Sequence, residues 1–221
     1  MAKLVQVSMK DRLAAEIRSK ILSGELRAKT RLTEQMFADE YGISRSVVRE
    51  AMLVLELQGL IVSVPYKGSE VASVSREEVE DLLLPVRVQV EQFALRTALE
   101  SYDAAYFERF DRVLDDMQQA VAGENVEAFN DADIRFHALI VGAADSEAVR
   151  TMWEAIHMRI RMHLALQTGR TGALEQFLQD HRALVEVLRT GDAEESARVI
   201  EEHIIGSNRP FLRVFDEEQG A

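Results

Sequence analysis

The sequence predicts a mainly α chain in two parts. Three helices closed by a β-hairpin occupy residues 1–74, and an all-α antiparallel bundle of six or seven helices occupies residues 75–221. Three observations predict this. Apolar residues recur at helical spacing through most of the chain. The one strand–turn–strand signal, Leu60 to Val64, then Pro65-Tyr66-Lys67-Gly68, then Ser69 to Ala72, ends just before residue 75. Charge changes sign at the same place: residues 1–74 carry 11 Lys/Arg against 9 Asp/Glu, and residues 75–221 carry 15 against 29.

In the first part, Leu13, Ala14, Ile17 and Ile21 make one amphipathic helix ending near Gly24. Residues 33–59 read as two short helices joined at Gly42. Phe37, Ala38 and Tyr41 give the first a packing face. Val48, Ala51, Met52 and Leu55 give the second a buried stripe at i, i+3, i+4 and i+7. Ser44 is placed as its N-cap and Gly59 as its stop. Arg45, Ser46 and Arg49 then project away from the stripe near the helix N-terminus, where a recognition helix enters the major groove. An ordinary helical hairpin with surface arginines is the plainer alternative. The hairpin behind it weighs against that, because Lys67 and Gly68 bring a cation and a close-approaching backbone to its tip, where phosphates or the minor groove can be met. Three helices and a hairpin make a winged helix-turn-helix, with double-stranded operator DNA as its partner. A net charge of +2 on this part is modest, so tight binding calls for two copies, that is, a homodimer.

The second part opens on Ser75-Arg76-Glu77-Glu78, a capping box. Helices are expected over 76–101, 103–122, 125–144, 146–167, 173–190 and 193–206, with a shorter one to about 215. Asp103, Asn125, Ser146 and Asp192 mark starts, and Gly123 and Gly191 lie in breaks. Four polar residues interrupt the apolar stripes. Asp133 and His137 share a face with Phe129, Phe136 and Ile140. His181 shares one with Phe177, Leu184 and Leu188, and His203 lies with Val199 and Ile200. About ten residues before the Gly191 turn and about twelve after it, His181 and His203 come level across a helical hairpin. A single such histidine is more often an ordinary core residue. Three imidazoles and a carboxylate able to converge make a site for one divalent ion per chain, zinc first, with nickel or manganese also accepted. His157 and His163, six apart, fall on different faces and are read as non-ligands, with His163 able to line the cavity.

There are no cysteines, so neither disulfides nor thiolate ligands are available. No apolar run approaches a membrane span and no secretory segment opens the chain, so a cytoplasmic protein is expected.

The residues also resemble a known family. Arg31-Leu32-Thr33-Glu34, Tyr41-Gly42-Ile43-Ser44-Arg45-Ser46-Val47-Val48-Arg49-Glu50-Ala51-Met52, Gly59-Leu60-Ile61 and Lys67-Gly68-Ser69-Glu70-Val71 are similar to the N-terminal domain of GntR-type transcription regulators. The resemblance implies that Arg31, Arg45, Ser46, Arg49 and Gly68 contact DNA, with Ser44 and Lys67 beside them. Two positions depart from the pattern. The family's usual Pro-Gly before the arginine is Ala28-Lys29, and its usual proline in the recognition helix is Val47. Asp133-Ile134-Arg135-Phe136-His137, His181-Arg182-Ala183-Leu184, Gly191-Asp192 and His203 resemble the ligand-sensing C-terminal (FCD) domain of the FadR subfamily, with Asp145 where asparagine is usual. The resemblance implies that Asp133, His137, His181 and His203 hold the ion. Arg87 matches an arginine of that pattern and, with Arg161, is a candidate for pairing the carboxylate of a small organic-acid effector. An i,i+4 ion pair with Glu91 is the alternative for Arg87. The expected function is a metabolite-responsive repressor. A metal-dependent hydrolase with an accessory DNA-binding domain and a constitutive DNA binder with a structural ion are the rivals.

Overall fold

A computed structural model describes residues 8–64, 68–171 and 174–219, with side chains outside 165–171 and 209–219. It divides into two compact units, Met1–Ser73 and Val74–Ala221.

In the first unit, α1 (Met9–Leu22), α2 (Glu34–Tyr41) and α3 (Arg45–Leu57) pack around Ile17, Phe37, Val48, Ala51 and Leu55, all fully buried. Side-chain oxygens of Ser8, Thr33 and Ser44 accept from backbone N–H groups of the first turns, so each helix starts on a satisfied cap. Gly42 closes α2 in the left-handed region at φ 64°, and this turn aims α3 across α2. The wing strands β2 (Ile61–Val64) and β3 (Gly68–Val71) pair antiparallel. A further strand that was not expected, β1 (Arg31–Leu32), pairs with the other edge of β3 in the order β1-β3-β2. Two residues are too few to show alternation. Their pairing sets Arg31 opposite Glu70 and Leu32 opposite Ser69.

The turn before β1 carries Lys29 at φ 65°, held by its N–H bond to the Val71 carbonyl (2.9 Å). This is the position where the GntR pattern has glycine. A left-handed conformation costs an L-residue about 1–2 kcal/mol, and the greater freedom of an unfolded glycine returns part of that. Lys29→Gly is therefore expected to stabilise by about 0.5–1 kcal/mol, a rise of a few degrees in melting temperature. A lower melting temperature would contradict the strain argument.

The second unit begins at Ser75, whose Oγ caps α4 (Arg76–Glu78). The helix runs on through a π turn (Val79–Leu83) into α5 (Leu84–Ala98) and a 3-10 turn (Leu99–Ser101). A single regular helix over 76–101 was expected. Pro85 has no N–H to give to the Asp81 carbonyl, and just before it the Leu84 N–H reaches back five residues to the Val79 carbonyl. Then follow α6 (Ala104–Ala122), α7 (Val126–Gly142), α8 (Glu147–Thr171), α9 (Leu174–Leu188) and α10 (Ala193–Gln219). Asp103, Asn125, Ser146 and Asp192 each accept from a first-turn N–H, as their positions in the sequence predict. The expected break at 206 is absent: α10 continues through Gly206. Ile204 and Asn208 are both buried there, and the Asn208 amide donates to the Ile204 carbonyl (2.7 Å), so burial on both sides outweighs the weak propensity of one glycine. Helix α7 packs on α5, α6 and α8, and α10 packs on α5 and α9. That arrangement turns the stripes of α5, α7, α9 and α10 toward one interior point.

Candidate functional sites

At that point four predicted residues meet. One ring nitrogen each from His137, His181 and His203 lies within 4.8 Å of the other two. Asp133 Oδ1 lies 3.0 Å from His181 Nε2 and 3.8 Å from His137 Nε2. All four come from helices, so their positions are set by helix packing. The packing is local and apolar: Phe136 stacks edge-on against His181 (4.8 Å between centroids) and against Phe110 on its other side (5.1 Å).

The protonation pattern follows from the partners. His181 Nδ1 faces the Phe177 carbonyl at 2.7 Å; a carbonyl only accepts, so Nδ1 carries a proton, and Nε2 is the nitrogen turned toward Asp133 Oδ1. His137 Nδ1 sits 2.6 Å from Glu91 Oε2. Burial works to raise the Glu91 carboxyl, but His137 and Arg87 outweigh it and hold it below the usual carboxylate range. Glu91 is therefore the acceptor, His137 Nδ1 carries the proton, and its Nε2 is the nitrogen with a lone pair. Burial, aided by Arg87, pushes His137 down, and burial with His181 and His137 pushes His203 well down. Burial also opposes ionisation of Asp133, yet His181, His137 and Arg87 keep it ionised. Asp133 Oδ2, His137 Nε2 and His181 Nε2 are all buried without a hydrogen-bond partner. An unpaired buried polar atom is destabilising, and a carboxylate beside imidazole nitrogens is chemistry that suits a divalent cation.

Glu91, which sequence analysis treated only as a possible mate for Arg87, joins both: Arg87 Nε donates to its Oε1 at 2.8 Å. A carboxylate behind a ligating imidazole fixes ring orientation. Its only sequence signal was the i,i+4 spacing from Arg87. The Phe177 carbonyl had no signal, being backbone. Arg87 also approaches Asp133 Oδ2 (3.9 Å) and lines a cavity of about 30 Å3 with His181, His203, Asn130, Ser207 and Asn208. Arg161 does not reach that wall; it is paired with Asp131.

His163 is buried behind the cavity wall, its Nε2 2.8 Å from Asn208 Oδ1. Burial pushes it down to about 4. An unfolded histidine titrates near 6.5, so between these values the unfolded chain takes up a proton that the folded chain refuses. Stability is present above about 6.5 and lost as pH falls toward 4, by up to about 3 kcal/mol for a shift of this size. His137 and His203 act with the same sign. The denaturant midpoint is expected to drop between pH 7.5 and 5, less steeply in His163→Gln; equal slopes would remove His163 from the account.

In the first unit, Arg31, Arg45, Arg49 and Gly68 line one groove of about 410 Å3 between α2, α3 and β3. Ser44 and Ser46 are exposed at the α3 start, 2.9 Å apart through their hydroxyls. Gly68 has φ 88°, and a Cβ there would stand 3.3 Å from the Leu32 carbonyl, so glycine lets β1 approach the wing. Lys67 lies outside the described residues. Glu34, which was not a sequence candidate, also lies in this groove. Its carboxylate takes Arg49 Nε at 2.7 Å and Nη2 at 3.0 Å, and Arg45 Nη2 at 3.3 Å.

Comparison with known proteins agrees with both units. Residues 9–71 match the family described as bacterial regulatory proteins, gntR family, and residues 82–206 match the FCD domain. The HTH-type transcriptional regulator YdhC of Bacillus subtilis is 23% identical over 91% of this chain and 90% of its own length. The gluconate operon transcriptional repressor of the same organism is 25% identical over 82% of this chain and 76% of its own. The fold is that of a GntR transcriptional regulator from Rhodococcus sp. RHA1, with TM-score 0.80 at 20% identity over 92% of this chain and 97% of that one. No helix among the described residues is long and apolar enough to cross a membrane. The chain belongs to the gntR family of bacterial regulatory proteins: it is a DNA-binding transcription regulator with an FCD domain rather than an enzyme.

Proposed function

We propose that this regulator is a cytoplasmic, homodimeric repressor whose grip on its operator is set by a small carboxylate bound beside a divalent ion, zinc first, in the helical unit. The observation that carries this reading is the trio of buried, unpartnered atoms Asp133 Oδ2, His137 Nε2 and His181 Nε2. Asp133, His137, His181 and His203 would hold the ion. When bound, it would supply a Lewis-acidic centre with coordination positions left over for an oxygen ligand. Arg87 would face an effector carboxylate from the cavity wall, at the expense of its weak 3.9 Å approach to Asp133 while its bond to Glu91 persists. The cavity, about 30 Å3, has room for only one or two water-sized groups, which favours a short polar head over a bulky ligand. In the other unit Arg45 and Arg49 would meet base edges or phosphates of one half-site, with Arg31, Ser44, Ser46, Lys67 and Gly68 fixing register. Effector binding would favour one placement of the paired DNA-binding units over another, and operator affinity changes by that difference alone.

The test is a thermal-shift screen of small organic acids on protein dialysed against chelator, with and without zinc added back. At least one hydroxy or dicarboxylic acid is expected to raise the melting temperature of the zinc-loaded protein and leave the stripped protein unmoved. Equal shifts in both would count against an effector site that depends on the ion.

A further inference from the structure

The groove of the DNA-reading unit contains a carboxylate where phosphates would be expected to exclude one. Glu34 opens α2, directly after the Thr33 cap, and Phe37 one turn on is fully buried, so its backbone is a fixed base. Its side chain is 22% exposed, whereas those of Arg45 and Arg49 are 61% and 63% exposed. The covered group holds two projecting ones. The two guanidiniums, Arg49 first, draw the Glu34 carboxyl below its ordinary range, so it is ionised at neutral pH.

Arg49 gives Glu34 its Nε–H and one Nη2–H. Its Nη1 hydrogens and the second Nη2 hydrogen remain, and together they form the outer fork of the guanidinium. That fork matches the O6 and N7 acceptors of guanine in the major groove. A long arginine without a holder loses side-chain entropy on binding and meets phosphate as readily as base. One pinned along its inner edge presents a single face.

We propose that Glu34 is a specificity-determining residue: it fixes Arg49, and steadies Arg45 through the same carboxylate, so that the outer guanidinium edge of Arg49 reads a guanine. This rests on the reading of α3 as the DNA-facing helix. The design exchanges attraction for selectivity. Glu34 cancels one of the two arginine charges, which weakens contact with any duplex, and returns discrimination at one base pair.

The experiment is selection from a random duplex library by full-length wild type, Glu34→Ala, Glu34→Gln and Arg49→Ala, with thermal melts checking that each is folded. Glu34→Ala is expected to lose its guanine preference at the base position that Arg49→Ala also loses, with discrimination there falling on the order of tenfold or more. Affinity of Glu34→Ala for unselected duplex should hold or rise, with a salt dependence steeper by about one ion. Glu34→Gln, which keeps one acceptor oxygen, should fall between, and it carries the test if the alanine variant fails to fold. Recovery of the wild-type motif by both Glu34 variants overturns the inference while leaving α3 as the reader. Loss at a different position from that of Arg49→Ala also overturns it, because Glu34 would then read a base of its own. Wild-type selection by Arg49→Ala would bring down the reading of α3 and this inference with it.

Discussion

Asp133→Asn is expected to change the melting temperature little in chelated protein and to lower it sharply in zinc. In chelated protein, the wild-type carboxylate is buried with Oδ2 unpartnered, and Arg87 at 3.9 Å is already bonded to Glu91. An amide removes the buried charge. It also places an N–H2 donor within reach of the bare His181 Nε2, 3.0 Å from the present Oδ1. What the ionised carboxylate gains from His181, His137 and Arg87 is thus lost only in part, and the stripped variant should melt within a few degrees of the stripped wild type. In zinc the two proteins separate. Free metal at a thousandfold over the dissociation constant stabilises wild type by about 4 kcal/mol, roughly 10 °C for a chain of this size. Most of that gap should vanish in the variant, which has lost the one anionic ligand. Scanning calorimetry of both proteins, with zinc and with chelator, reads the four melting temperatures directly. An undiminished zinc gap in Asp133→Asn would remove Asp133 from the ligand set. A drop of several degrees in the stripped variant would show that the carboxylate is satisfied by protein alone.

What the sequence disclosed depended on whether the information was periodic. The α3 stripe of Val48, Ala51, Met52 and Leu55 is periodic and sits fully or nearly buried as read. So were the faces carrying Asp133, His137 and His181, and a polar residue inside such a face is conspicuous. Helix starts were legible because Asp103, Asn125, Ser146 and Asp192 act through bonds three residues long or shorter. Non-local facts were not legible. Strand β1 exists because Arg31 and Leu32 find β3 nearly forty residues away. Glu34 is fifteen residues from Arg49, and Glu91 is forty-six from His137. Neither spacing is a helical repeat, so only the fold joins them. The continuation of α10 past Gly206 has the same origin. A glycine signals a break locally, but the burial of Ile204 and Asn208 is a property of the packed bundle. Arg87 and Arg161 were both candidates from sequence, Arg87 alone with a family match, and they differ because one is buried against Glu91 and the other pairs with Asp131.

Glu91→Ala should be the most destabilising single substitution in the helical unit's polar interior. Glu91 is fully buried between Arg87 Nε at 2.8 Å and His137 Nδ1 at 2.6 Å. Its loss leaves a buried guanidinium whose nearest remaining carboxylate is Asp133 at 3.9 Å, and an imidazole N–H with no acceptor. Breaking one partner of a buried pair costs about 3–5 kcal/mol, on the order of 10 °C here. Zinc affinity should fall as well, by about 10–100-fold, because the His137 ring loses the contact that aims Nε2 at its neighbours. The two effects can be separated. In the double substitution Arg87→Met with Glu91→Leu no charge is left uncompensated, so much of the lost stability should return. The His137 ring is still unsupported in that protein, so zinc affinity should stay low. Denaturant unfolding of the chelated proteins measures the first quantity and competition with a zinc-binding dye the second. Recovery of both together would mean that Glu91 matters only as the mate of Arg87. Recovery of stability alone would mean that the same carboxylate also orients the ligand, which makes Glu91 part of the sensor although it would never touch the ion.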